Sequence, residues 1–131
     1  MKGVDSNILV RYLVADDPGQ FRAATRFIEH ECSPQEPAFV NRVVLAEVVW
    51  VLESSYQMPR SAVVSALRVL FDTNQLSIEH AEDARAALLN YEDGAAFSDS
   101  LIAASNARLG CEYTATFDRR AAGRNGFRLI K

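Results

Sequence analysis

Ala38-Phe39-Val40-Asn41-Arg42-Val43-Val44-Leu45-Ala46-Glu47-Val48-Val49-Trp50-Val51-Leu52 holds a strand, a cap and a helix in succession. Residues 38–40 are short and apolar, as a strand covered on both faces should be. Asn41 supplies a side-chain oxygen for the open amides of a helix start, and the run beyond it keeps helical spacing, with its end expected near Tyr56. Glu47 is the only carboxylate in residues 43–52. Its neighbours one turn away, Val43, Val44, Trp50 and Val51, offer no cation. In so apolar a run the side chain is expected to be buried, and a buried charge either neutralises or finds a compensating cation elsewhere in the fold. Glu47 is therefore expected to have a remote partner.

The same alternation extends in both directions. Residues 2–5 read as a strand and residues 7–14 as a helix, and Asp16-Asp17-Pro18 starts a second helix that Pro34 to Pro37 interrupts. Pro59-Arg60-Ser61 opens a helix with Val63, Val64, Leu67, Leu70 and Phe71 at helical intervals. Residues 76–78 predict a third strand and residues 81–91 a helix stopped by Asp93-Gly94. A further helix begins at Phe97-Ser98-Asp99-Ser100 and ends at Gly110, residues 113–117 form a fourth strand, and residues 127–130 a fifth. Short strands alternating with helices predict an α/β fold of three layers, α/β/α, around a mostly parallel sheet of about five strands. Ligands of such sheets bind beyond the carboxyl ends of the strands, where Asp5 and Asp118 lie.

A length of 131 residues predicts one domain, 1–131, with 49% hydrophobic and 24% charged residues as in ordinary globular chains. The net charge of -3 disfavours a nucleic-acid binder with a broad basic face, but it leaves room for a local one. Lys2 and Lys131 are the only lysines; the remaining positive charge is arginine, suited to bidentate phosphate contacts, and residues 118–131 concentrate it. Either a solvated tail or a phosphate-contacting edge fits that stretch. The opening Met-Lys-Gly-Val-Asp lacks the apolar segment of a signal peptide and no stretch is long enough to span a bilayer, so a cytoplasmic protein without membrane contact is expected. Cys32, Cys111, His30 and His80 stand apart from any metal-ligand spacing.

Asp5, Asp99 and Asp118 each have an ordinary reading: a helix cap, a first-turn complement to the helix dipole, and a turn residue. Together with Glu47 they suggest more, because the predicted fold can bring all four to one cleft. Two carboxylates about 4 Å apart repel by roughly 4 kcal/mol at an effective dielectric near 20. A hard divalent cation with oxygen ligands, Mg2+ or Mn2+, relieves that repulsion, and the missing His and Cys clusters disfavour zinc.

Asp5-Ser6-Asn7, Leu45-Ala46-Glu47, Phe97-Ser98-Asp99-Ser100-Leu101-Ile102-Ala103-Ala104 and Thr116-Phe117-Asp118, in this order, resemble the PIN domain, specifically the VapC-type toxins of bacterial toxin-antitoxin pairs. The resemblance implies a metal-dependent ribonuclease with acids at Asp5, Glu47, Asp99 and Asp118, of which Asp5, Asp99 and Asp118 hold Mg2+ or Mn2+ and Glu47 positions or deprotonates water. Asn7, Ser98 and Thr116 match polar positions that orient those ligands. It also implies a 5′-phosphate product, a homodimer and a cognate antitoxin that blocks the cleft with a basic side chain. Helices around Glu47 and residues 59–71 are the candidate dimer contacts. Arg119 and Arg120, then Arg11 and Arg42, are the candidates for gripping the RNA backbone. Two departures from the family pattern are Ala95-Ala96-Phe97, where many relatives carry another acid, and Arg119-Arg120-Ala121-Ala122, where many carry an acid and an aromatic. One firmly held ion, with a second recruited alongside RNA, is the expectation.

Competing readings are a phospho-accepting receiver and a haloacid-dehalogenase-like phosphatase, both disfavoured by the absence of an internal lysine. Asn7 also stands where the phosphatase needs Asp. A catalytically silent binding module, its acids receiving a basic partner, is the third.

Overall fold

A computed structural model describes residues 1–124 and 126–131; Asn125, within the basic stretch, lies outside the described residues. The chain divides into two compact units, Met1–Ala81 and Glu82–Lys131.

In the first unit β1 (Lys2–Gly3), β2 (Ala38–Val40) and β3 (Leu76–Ile78) form a parallel sheet in the order β1-β2-β3. Lys2 pairs with Ala38, and Ala38 with Leu76. Parallel neighbours require crossovers. These are α1 (Ser6–Leu13) and α2 (Pro18–Arg26) between β1 and β2, and α3 (Arg42–Ser54) and α4 (Arg60–Phe71) between β2 and β3. The caps are the expected ones: Asp17 Oδ1 accepts from the Gln20 amide at 3.0 Å and Asn41 Oδ1 from the Val44 amide at 2.8 Å. α2 runs on into a π-helical turn, Phe27–Glu31, which residue spacing did not suggest. α3 ends at Ser54, two residues short of the expected Tyr56. Leu9, Ile28, Val40, Leu52, Leu67 and Leu70 are fully buried and make the core of this unit.

In the second unit α5 (Ala81–Glu92, which begins at the last residue of the first) precedes α6 (Phe97–Arg108), and β4 (Thr114–Thr116) pairs in parallel with β5 (Phe127–Leu129). Gly94 at φ 110° and Gly110 at φ 90° follow α5 and α6, a backbone region that costs glycine little and other residues more. Tyr91 and Phe97 are buried with their rings edge to face, centroids 6.2 Å apart. The four-residue α7 (Arg119–Ala122) is new relative to the sequence reading. A single turn carries no periodicity to detect. The α/β class and all five strands are as expected, with the strands hydrogen-bonded as a ladder of three and a ladder of two.

Candidate functional site

Asp5 follows β1 and caps α1, its Oδ1 accepting from the Ser6 amide at 2.8 Å. Ser6 is the only buried polar residue described, 9% exposed, and its hydroxyl donates to Glu47 Oε1. One serine therefore holds an oxygen of each acid, through its amide and its hydroxyl. Glu47 does have a remote partner, 41 residues away in sequence, but it is a neutral hydroxyl and not the compensating cation a buried charge would need. The expected burial is absent: Glu47 is exposed. The core side of α3 carries Leu45, Val48, Val49 and Leu52, whereas Val43 at 75% and Trp50 at 64% exposure share the outer stripe with Glu47. An apolar run is here apolar on both sides of its helix, and only packing shows which side is covered. Sequence reasoning missed Ser6, whose only signal was its place directly after a capping acid.

In the second unit Asp118 follows β4 and caps α7, its Oδ1 accepting from the amides of Arg120 at 2.8 Å and Ala121 at 3.4 Å. Thr116 Oγ1 accepts from the Asp118 amide at 3.0 Å, fixing the turn that presents this acid. Asp99 lies in the first turn of α6, half-buried. Loss of water around it, and then the charge of Asp118, hold its carboxyl above the ordinary range. These two acids thus feel each other, which is the electrostatic condition a cation relieves. Asn7 and Ser98 are exposed in the first turns of α1 and α6.

The arginines differ in what they already do. Arg11 contacts Asp16 at 2.9 Å and the Tyr56 hydroxyl at 3.2 Å, and Arg42 pairs with Glu79 at 3.3 Å. Arg124 is held by Asp93 at 3.1 Å, and Arg128 stacks 3.9 Å from the Tyr113 ring centre. Arg119 and Arg120 are exposed on α7 beside Asp118. A groove of about 390 Å³ on α1, α2 and α4, lined among others by Tyr12, Phe21, Thr25 and Val69, contains none of the predicted site residues.

Among the described residues no three His, Cys, Asp or Glu side chains are grouped as a ready-made metal site. The candidate donors are carboxylate oxygens, of which Oδ1 of Asp5, Oδ1 of Asp118 and Oε1 of Glu47 each accept a hydrogen bond. Oxygen donors of this kind suit Mg2+, which is usually bound through one or two carboxylates and keeps waters and substrate phosphates for the rest. Both Cys32 and Cys111 are free thiols, and no described helix is long and apolar enough to cross a membrane.

The chain is thus an α/β domain of short parallel strands with acids just beyond β1 and β4, the strand ends where ligands of such sheets bind. The chain belongs to the PIN domain family, whose profile matches residues 3–125, and this membership supports nuclease activity. None of the curated proteins compared with the chain matches it.

Proposed function

We propose that this chain is a metal-dependent endoribonuclease of the VapC toxin type, working as one functional domain over residues 1–131. The observation that carries the reading is an all-oxygen acid set, Asp5, Glu47, Asp99 and Asp118, in a chain that matches the PIN family from residue 3 to 125. Asp5, Asp99 and Asp118 would hold Mg2+ or Mn2+. When bound, such an ion lowers the pKa of water and stabilises charge on the phosphate. Glu47 takes the proton of the attacking water, and the Ser6 hydroxyl, bonded to Oε1, restricts the rotation of that carboxylate. Thr116 steadies the backbone beneath Asp118, and Asn7 and Ser98 orient neighbouring ligands. Arg119 and Arg120 grip the RNA backbone, since Arg11 and Arg42 already serve Asp16 and Glu79. A cytoplasmic homodimer, held silent by an antitoxin whose basic side chain enters among the acids, completes the proposal.

The test incubates purified protein with structured and unstructured RNAs, with and without Mg2+ or Mn2+, beside Asp5→Asn. Cleavage that needs the metal and fails in the variant supports the reading. Cutting without metal, or an equally active variant, refutes it. Tight binding of a protein partner with no RNA cut would favour the silent module instead.

A further inference from the structure

β4 and β5 pair with Thr114 opposite Phe127, Ala115 opposite Arg128 and Thr116 opposite Leu129. Side chains alternate between the two faces of a strand, and in this ladder exposure alternates with them. Thr114, Thr116, Phe127 and Leu129 are half-buried, and on that side Asn106 of α6 donates to Thr114 Oγ1 at 2.9 Å. Tyr113, Ala115, Phe117, Arg128 and Ile130 are exposed. Parallel strands are normally covered on both faces, and this ladder is covered on one.

The open face carries an arginine already held in place. Tyr113 lies two residues before Ala115, the partner of Arg128, and from this diagonal position its ring meets the guanidinium 3.9 Å from the ring centre. A guanidinium stacked by its face keeps its N–H edge for an anion. Arg11, Arg42, Arg108 and Arg124 each turn that edge to a carboxylate, whereas among the described residues Arg128 has no carboxylate partner. The surroundings favour a polyanion. Residues 113–131 hold four arginines and Lys131 against a single acid, Asp118, in a chain whose net charge is -3. A second copy of the chain fits this face poorly, because a two-fold contact meets its own image and would set Arg128 against Arg128. A nucleic-acid backbone brings an anion at every residue, in the geometry a guanidinium fork accepts. It also has a reason to be here, since Ala115 precedes Asp118 by only three residues, about 10 Å along an extended chain.

We propose that Arg128, held against Tyr113, grips an RNA phosphate, so that the strand cut beside Asp118 runs on along the open face of the β4–β5 ladder. The proposal rests on the ribonuclease reading. Arg128 touches the backbone away from the bond that breaks, so it is a substrate-positioning residue that sets affinity and register without reading sequence. Tyr113 acts through it, restricting the guanidinium before RNA arrives and so lowering the ordering cost of binding.

Full-length protein is tested with a single-stranded RNA of about 12 nucleotides, by filter binding in EDTA at several salt concentrations and by steady-state cleavage in Mg2+. Arg128→Ala should weaken binding roughly 3- to 10-fold and raise KM by a similar factor, with kcat little changed. The slope of log affinity against log salt should fall by about 0.7, the contribution of one phosphate contact on a single strand. Tyr113→Phe keeps the ring and should bind as the wild type does, while Tyr113→Ala should lose part of the affinity and add nothing to Arg128→Ala. A set of RNAs, each with one phosphate replaced by a neutral methylphosphonate, identifies the contact: one position should weaken the wild type and leave Arg128→Ala unaffected. Normal affinity, salt slope and KM in Arg128→Ala overturn this inference while leaving the ribonuclease intact. A loss that no neutralised phosphate reproduces marks a structural role and overturns it as well. A particle mass that differs between wild type and Arg128→Ala without RNA overturns it in favour of a second copy of the chain. RNA neither bound nor cut by the wild type removes both proposals together.

Discussion

Ser6→Ala deletes one hydroxyl and leaves nearly everything else in place. The Ser6 amide still caps onto Asp5, and alanine is the better helix former. What disappears is the bond from Ser6 Oγ to Glu47 Oε1. A hydrogen bond to a charged group contributes about 1.5–3 kcal/mol, but Glu47 is exposed and water replaces the lost donor, so the stability cost should fall to about 1 kcal/mol. For a chain of this length that is a Tm lowered by about 3 °C. Activity should suffer more. Without its anchor the Glu47 side chain spreads over several rotamers, and misplacing a catalytic group by about 1 Å can cost as much as 100-fold, so kcat is expected to drop about 10-fold or more with KM little moved. The assay pairs thermal unfolding with steady-state RNA cleavage for wild type, Ser6→Ala, Glu47→Gln and the double variant. If Ser6 acts through Glu47, adding Ser6→Ala to Glu47→Gln changes kcat no further. Independent, additive losses, or full activity in Ser6→Ala, would refute the reasoning.

Arg119→Ala and Arg120→Ala should each weaken RNA binding regardless of sequence and reduce the slope of log affinity against log salt by about 1, measured by filter binding at several salt concentrations. Asn41→Ala removes the α3 cap and should cost about 1 kcal/mol in urea unfolding without altering the core. Asp16 is held below the ordinary carboxylate range by the Tyr56 hydroxyl first and by Arg11 after it. A depressed carboxyl stabilises the fold above its ordinary pKa and loses that contribution as pH falls through the depressed one. Tyr56→Phe should therefore move the Asp16 titration upward, seen by carboxyl-carbon NMR, and flatten the stability profile in acid; an unmoved titration contradicts the assignment.

Much of the fold could be read from local chemistry. The caps at Asp17 and Asn41 and the breaks at Gly94 and Gly110 each follow from a residue type with one dominant conformational effect, and the five short strands from the segments between those signals. The π-helical turn at Phe27–Glu31 and the single turn of α7 did not, because neither leaves a period in the sequence. Among the candidate site residues, Thr116 accepts from the Asp118 amide two residues on, while the arginines needed coordinates to sort them: charge alone does not reveal that Asp16 and Glu79 already hold Arg11 and Arg42.

Glu47 marks the boundary between the two kinds of knowledge. Sequence was enough to single it out, as the one carboxylate in an apolar helix, and to require a distant partner, because helical spacing fixes which neighbours a side chain can reach. Which face of that helix the core covers, and that the partner is Ser6, was decided by tertiary packing. Burial and hydrogen bonds across 41 residues depend on how elements meet, and no local pattern encodes that.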